Sequence, residues 1–143
     1  MKVLHVATGA LLAAGLSFSA AHAEMVKFKA DLTAAQEVPA NDTKGKGTAE
    51  ITVDTTAKKV MFTVNFEGLS GDATAAHIHG PADPGANAGA MVNIGMVGGT
   101  KSPIKGEAPL TDAQIADITA GKSYVNVHTA ANKGGEIRGQ ITK

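Results

Sequence analysis

Three histidines, His77, His79 and His128, have the clearest claim on chemistry in this 143-residue chain. His77 and His79 are one residue apart, and side chains two positions apart on a strand leave the same face. Neutral imidazole suits copper, zinc, nickel and iron, so two rings on one strand face are two ligands already arranged. A third ring from His128 makes a three-histidine site and leaves a fourth position open to water or substrate. The absence of cysteine excludes a thiol nucleophile, thiolate-bound zinc or iron–sulfur clusters, and any disulfide. No serine sits in a nucleophile elbow. Gly98-Gly99 lacks the Lys-Ser/Thr helix start of a phosphate loop. Met91 and Met96 offer thioethers to copper, but in an apolar segment they read first as core filler. Asp83 and Asn87 are too sparse for a calcium loop.

The elements that must position these side chains are strands. In residues 25–32 the positions Val26, Phe28, Ala30 and Leu32 are apolar and alternate with Lys27, Lys29 and Asp31, the period of a half-buried strand. Residues 47–54 and 59–67 repeat the pattern and are expected to form a hairpin through residues 54–58. Residues 73–80, 90–97, 122–129 and 136–142 are expected as further strands. Residues 81–89 form a Pro/Gly loop, and an irregular stretch is expected up to Pro109. Thr111 with Gln114 three residues on is a capping box, which starts a short helix stopped by Gly121. The last hairpin is predicted to pair Tyr124 with Gln140, Asn126 with Arg138 and His128 with Glu136. That parity puts Val125, Val127, Ile137 and Ile141 inside. Ala76 and Ile78 point to the core, so all three histidines lie on non-core faces and converge if their strands are neighbours. Asn126, Glu136 and Arg138 are the candidate groups around them: Asn126 or Glu136 to orient a ligand, Glu136 alternatively to complete the shell, and Arg138 to attract an anion. The fold class read from this pattern is all-β, a Greek-key β-sandwich or barrel of seven to eight strands with one short helix.

The chain divides in two by composition. Residues 1–23 have a short polar start, an apolar run and Ala21-His22-Ala23, which predicts a secretory signal cleaved after Ala23. The run is too short for a stable membrane span, so a periplasmic or secreted protein without a membrane anchor is expected. Residues 24–143 are expected as a single domain. They hold 12 basic and 13 acidic side chains, a balance that gives no case for nucleic acid as a partner.

Gln36-Glu37-Val38-Pro39, Ala76-His77-Ile78-His79-Gly80-Pro81-Ala82, Leu110-Thr111, Tyr124-Val125-Asn126-Val127-His128-Thr129 and Gly135-Glu136-Ile137-Arg138-Gly139-Gln140-Ile141 occur in that order. Together they resemble the CHRD domain, first described in chordin, over residues 28–141. Lys133 departs from the family's more usual proline in the turn before Gly134-Gly135. The resemblance implies a secreted β-sandwich module, found alone in bacteria and repeated in animal extracellular proteins. The His-x-His strand with a late histidine is also similar to copper/zinc superoxide dismutase, whose fold is a Greek-key sandwich. That family needs further histidines, an aspartate on zinc and a disulfide, so its full dinuclear site is excluded within this chain.

The function expected from these readings is an exported transition-metal binder, with copper favoured by the divalent affinity order and zinc as the alternative. Its partners would be the metal ion and, through the outward polar face, a second copy in a homodimer. Two other readings stand beside it: an extracellular protein-binding module in which the histidines are structural, and a mononuclear copper enzyme acting on superoxide. Enzymatic activity is left open, leaning against.

Overall fold

The computed structural model describes residues 24–143; the expected signal segment, residues 1–23, lies outside them. The strands are β1 (Met25–Thr33), β2 (Lys46–Asp54), β3 (Lys59–Glu67), β4 (Ala73–His79), β5 (Ala90–Val92), β6 (Ile104–Pro109), β7 (Tyr124–Thr129) and β8 (Ile137–Gln140). Two helices, α1 (Ile94–Gly98) and α2 (Asp112–Thr119), and a 3-10 turn at Ala34–Gln36 complete the described residues. The strands form one antiparallel sheet in the order β5-β4-β7-β8-β1-β2-β3-β6, curled into a nearly closed barrel. Helix α1 packs on both β4 and β6, and so links the two ends of the sheet. No helix among the described residues is long and apolar enough to cross a membrane.

Alternation in the sequence becomes the inside of the barrel. Phe28, Leu32, Ile51, Val53, Val60, Phe62 and Val64 from β1–β3 meet Ile78, Val125, Val127 and Ile137 from the histidine-bearing strands in one buried cluster. Their burial is the main force closing the sheet, at about 1.5–3 kcal/mol for each large apolar side chain. The β2–β3 turn forms as expected, because Asp54 Oδ1 accepts from the backbone of Thr56 (3.0 Å) and Ala57 (2.7 Å). The Thr111–Gln114 capping box is also present.

Two segments differ from the sequence reading. Residues 90–97, expected as one strand, divide into β5 and α1. Asn93 caps the helix by accepting from Met96 N at 3.0 Å. Gly95 lies so close to β4 that a Cβ there would meet Ala76 N at 2.9 Å. A short apolar run satisfies either period, and here the cap and the close backbone approach decide for helix. The stretch before Pro109, expected to be irregular, contains β6, which pairs with β3 from Val64↔Ile104 to Lys59↔Pro109. Gly106 breaks its alternation, since a Cβ there would meet Val97 Cγ1 at 2.7 Å and Phe62 Cζ at 3.0 Å.

Candidate metal centre

β4 and β7 are hydrogen-bonded neighbours, and this adjacency brings the histidines together. Their register sets His77 opposite Asn126, His79 opposite Tyr124 and Ala75 opposite His128, with an irregularity between Ala73 and Ala75. Ring centroids lie 5.4 Å apart for His77–His79, 5.0 Å for His77–His128 and 6.2 Å for His79–His128. One ring nitrogen from each residue lies within 4.8 Å of the others, and His77 Nδ1 is 3.0 Å from His128 Nε2. The cluster is compatible with metal binding, and His128 Nε2, whose ring carries its hydrogen on Nδ1, accepts from His77 Nδ1.

Backbone carbonyls hold two of the rings. His128 Nδ1 donates to Lys133 O and His79 Nδ1 donates to Ala88 O, each at 2.9 Å. A carbonyl oxygen only accepts, so each Nδ1 carries the hydrogen and each Nε2 is left for another partner. That is the outer hydrogen bonding by which metal-binding histidines are usually oriented. Burial lowers the pKa of His77, and the neighbouring rings of His128 and His79 push it further down. His128 is lowered by burial too, against a raising contribution from its bond to Lys133. Both rings are therefore neutral at pH 7, the form that binds metal.

The face carrying these rings is not a wet one. Every residue of β7 is buried, because the loop of residues 81–89 lies over the polar side of the sheet. Gln140 Nε2 donates to Ala82 O at 2.9 Å, and Ala82 N donates to Lys122 O at 2.9 Å. Tyr124 Oη accepts from Ala88 N at 3.2 Å. Arg138, expected to face an anion, is engaged inside the protein and only 2% exposed. Its Nη2 donates to Ala86 O at 2.6 Å and its Nη1 to Asn87 Oδ1 at 3.0 Å. Its guanidinium carbon sits 3.4 Å from the Tyr124 ring centroid. From the β4 side His79 stacks on the same ring at 4.8 Å, with planes 2° apart. Arg138 thus clamps the loop and supports His79 through Tyr124, and the anion-attracting role falls away.

Asn126 is where the sequence reading put it, with Oδ1 2.9 Å from His79 Nε2. Glu136 is not, since its carboxylate touches none of the histidines. It accepts from Ser70 N (2.6 Å), Ser70 Oγ (2.5 Å), Thr129 Oγ1 (2.6 Å) and Asn132 Nδ2 (3.1 Å). The cause is a bulge: Ile137 pairs with Val127, yet Glu136 N also donates to Val127 O at 2.8 Å. Two residues answer one, and the side chain of the first is turned away from the face that simple parity assigns. Burial pushes the Glu136 carboxyl up, but the bonds from Ser70, Thr129 and Asn132 outweigh it and hold it below its ordinary value of 4.5. Its stabilising contribution is therefore full above pH 4.5 and lost as pH falls through its lower folded pKa. Glu136→Ala is expected to lower unfolding stability by about 3 kcal/mol, because it leaves buried donors unpaired. A chemical denaturation curve at pH 7 checks this, and a loss under about 1 kcal/mol would contradict the buried-latch assignment.

Glu37 is the residue at this site to which sequence reasoning gave no role. It follows the 3-10 turn, is 6% exposed, and its Oε1 makes no hydrogen bond. Burial raises its pKa from 4.5 to about 7, against the lowering effects of the Arg138 charge and the Asn126 amide. Gly135, at φ +132°, is needed beside it, since a Cβ there would run into Glu37 Oε1 and Asn126 Nδ2. The only signal in the sequence was its place in Gln36-Glu37-Val38-Pro39.

No curated protein and no solved structure matches the chain. The model of the CHRD domain does, over residues 28–141, a span that contains all eight strands except the first residues of β1 and carries Glu37, the three histidines, Asn126 and Arg138. The chain therefore belongs to the CHRD domain family.

Proposed function

We propose that this protein is an exported binder of a transition-metal ion, copper in preference to zinc, with His77, His79 and His128 as ligands. The observation that carries the reading is the convergence of three ring nitrogens within 4.8 Å, with two of the rings held by backbone carbonyls. An all-nitrogen donor set follows the divalent affinity order, which places copper above zinc. Asn126 and Arg138 act around the ligands, the first directly on His79 and the second through Tyr124. The work of such a site is binding, delivery or sequestration of the ion.

The test is metal analysis and Cu(II) titration of untagged protein. One equivalent bound per chain, displacing Zn(II) in competition, is the expected result; no binding of either ion at micromolar concentration would retire the reading. Because His77 and His128 are held below the ordinary imidazole value of 6.5, protons compete for the site only at lower pH. Affinity is expected to stay level from pH 8 to about 6.5 and to fall below that. In the metal-free protein the same lowered values act on stability. The unfolded chain takes up protons near pH 6.5 while the folded rings resist, so their contribution is full above pH 6.5 and lost as pH falls below it.

A further inference from the structure

Away from the histidines, the connection between β3 and β4 and the segment before β6 leave a groove between them. Two cavities of about 670 and 380 Å³ meet there, and Phe66, Glu67 and Ser102 line both. Each is within the roughly 300–1,000 Å³ of small-molecule sites, and no residue of the metal centre lines either. Phe66 ends the apolar alternation of β3, so its side chain turns inward at the last turn of the barrel wall. Gly47 stands opposite it and has no side chain to cover it; a Cβ there would meet Asn65 O at 2.5 Å and Phe66 Cβ at 3.1 Å. Phe66 and Leu69 therefore pack against the core while staying partly exposed. The walls are fixed: Ser70 donates through N and Oγ to the buried Glu136, and Phe66 N donates to Ser102 Oγ at 2.9 Å.

We propose that this groove is a second binding site, separate from the metal centre, and that its ligand is a neutral oligosaccharide. The chemistry of the lining carries the assignment. Beside the ring of Phe66 stand the side chains of Thr48, Asn65, Asp72 and Thr100, none of which makes a hydrogen bond or ion pair among the described residues. Hydroxyls and an amide both donate and accept, and a carboxylate accepts from two donors at once, which suits the paired hydroxyls of a sugar. The negatively polarised face of an aromatic ring takes the C–H face of a pyranose. Charge is balanced, with Lys46 and Lys101 against Glu67 and Asp72, and Lys46 already pairs with Glu67 at 3.1 Å. No excess of either sign is left to hold a phosphate or a charged peptide. Two cavities sharing one ring fit an extended ligand of at least two linked sugars, and fixed walls keep the ordering cost of binding low.

Titration of the metal-free protein with cellotriose and with the trisaccharide of N-acetylglucosamine, followed by backbone amide NMR, tests the site. For at least one sugar, shifts confined to residues 46–48, 65–73 and 100–102 are expected, with a Kd at or below about 1 mM. Asn65 and Asp72 are exposed, so replacing both with Ala should leave the fold intact and weaken binding at least about tenfold. Phe66→Leu keeps an apolar plug but removes the flat ring, and should weaken binding by a similar factor; the unchanged amide spectrum of the double variant guards against a folding defect in this one. Absence of shifts with either sugar at about 10 mM would overturn the proposal, as would undiminished binding by the double variant. Tighter binding of trialanine at the same amides would overturn it too, by giving the groove to a peptide. His77→Ala should bind the sugar as the wild type does, because the two sites share no residue.

Discussion

His77→Ala is expected to lower Cu(II) affinity by more than about 100-fold while leaving the metal-free protein close to wild-type stability. The loss should exceed the roughly 10–100-fold typical of removing an outer partner of a ligand, because a donor atom itself is gone. Stability should change by no more than about 1 kcal/mol, since His77 is half-buried and its ring nitrogen bonds only His128 Nε2. His79→Ala makes the control. It should abolish binding to the same degree but also destabilise the metal-free fold by about 2–3 kcal/mol. That ring stacks on Tyr124, donates to Ala88 O and meets Asn126, contacts whose loss adds up on this scale. Calorimetric titration with denaturation of both metal-free variants separates the two effects. A His77→Ala protein that still binds one equivalent of Cu(II) tightly would remove this residue from the ligand set. Equal destabilisation by both variants would mean that His77 is packed in a way its contacts do not show.

The barrel was readable in the sequence wherever one face of a strand had to be apolar and the other polar. Phe28, Ile51 and Phe62 lie on the buried side that alternation assigns, and the Tyr124–Gln140 and Asn126–Arg138 pairs have the predicted register. The convergence of His77, His79 and His128 followed from parity alone once β4 and β7 proved adjacent. What parity misses is whatever departs from a regular ladder. One bulge turned Glu136 from the histidines to Ser70 and Thr129, and β6 was hidden by a glycine packed under Val97 and Phe62. The burial of the polar face was illegible for a different reason. The loop that covers it works mainly through backbone carbonyls, those of Ala82, Ala86 and Ala88, and a backbone carbonyl leaves no trace in residue type. Glu37 escaped because its partners, Asn126 and Arg138, are distant in sequence, and no strand period marks a residue after a 3-10 turn.

Arg138→Ala is expected to be among the most damaging single substitutions in the protein, at about 3–5 kcal/mol. Its guanidinium is buried and makes two hydrogen bonds to the covering loop, each worth roughly 1.5–3 kcal/mol when one partner is charged. It also sits face-on over Tyr124 at 3.4 Å, a desolvated cation–π contact worth about 2 kcal/mol. The sum is not fully lost, because residues 81–89 can lift and return Ala86 O and Asn87 to water. Against a typical domain stability of about 5–15 kcal/mol the remainder is still large. Arg138→Lys should not rescue it, since an ammonium cannot reach Ala86 and Asn87 at once while lying flat on an aromatic ring. The damage should spread to the metal centre along a defined route: the loop lifts, Ala88 O leaves His79 Nδ1, and Cu(II) affinity falls about 10–100-fold with all three histidines still present. Denaturation midpoints at constant slope measure the first effect, and amide exchange across residues 82–89 measures the second. A stable Arg138→Ala protein with its loop amides still protected would show that the cover is held without the clamp. Its weight would then fall on Tyr124 and Gln140, the other side chains that reach the loop.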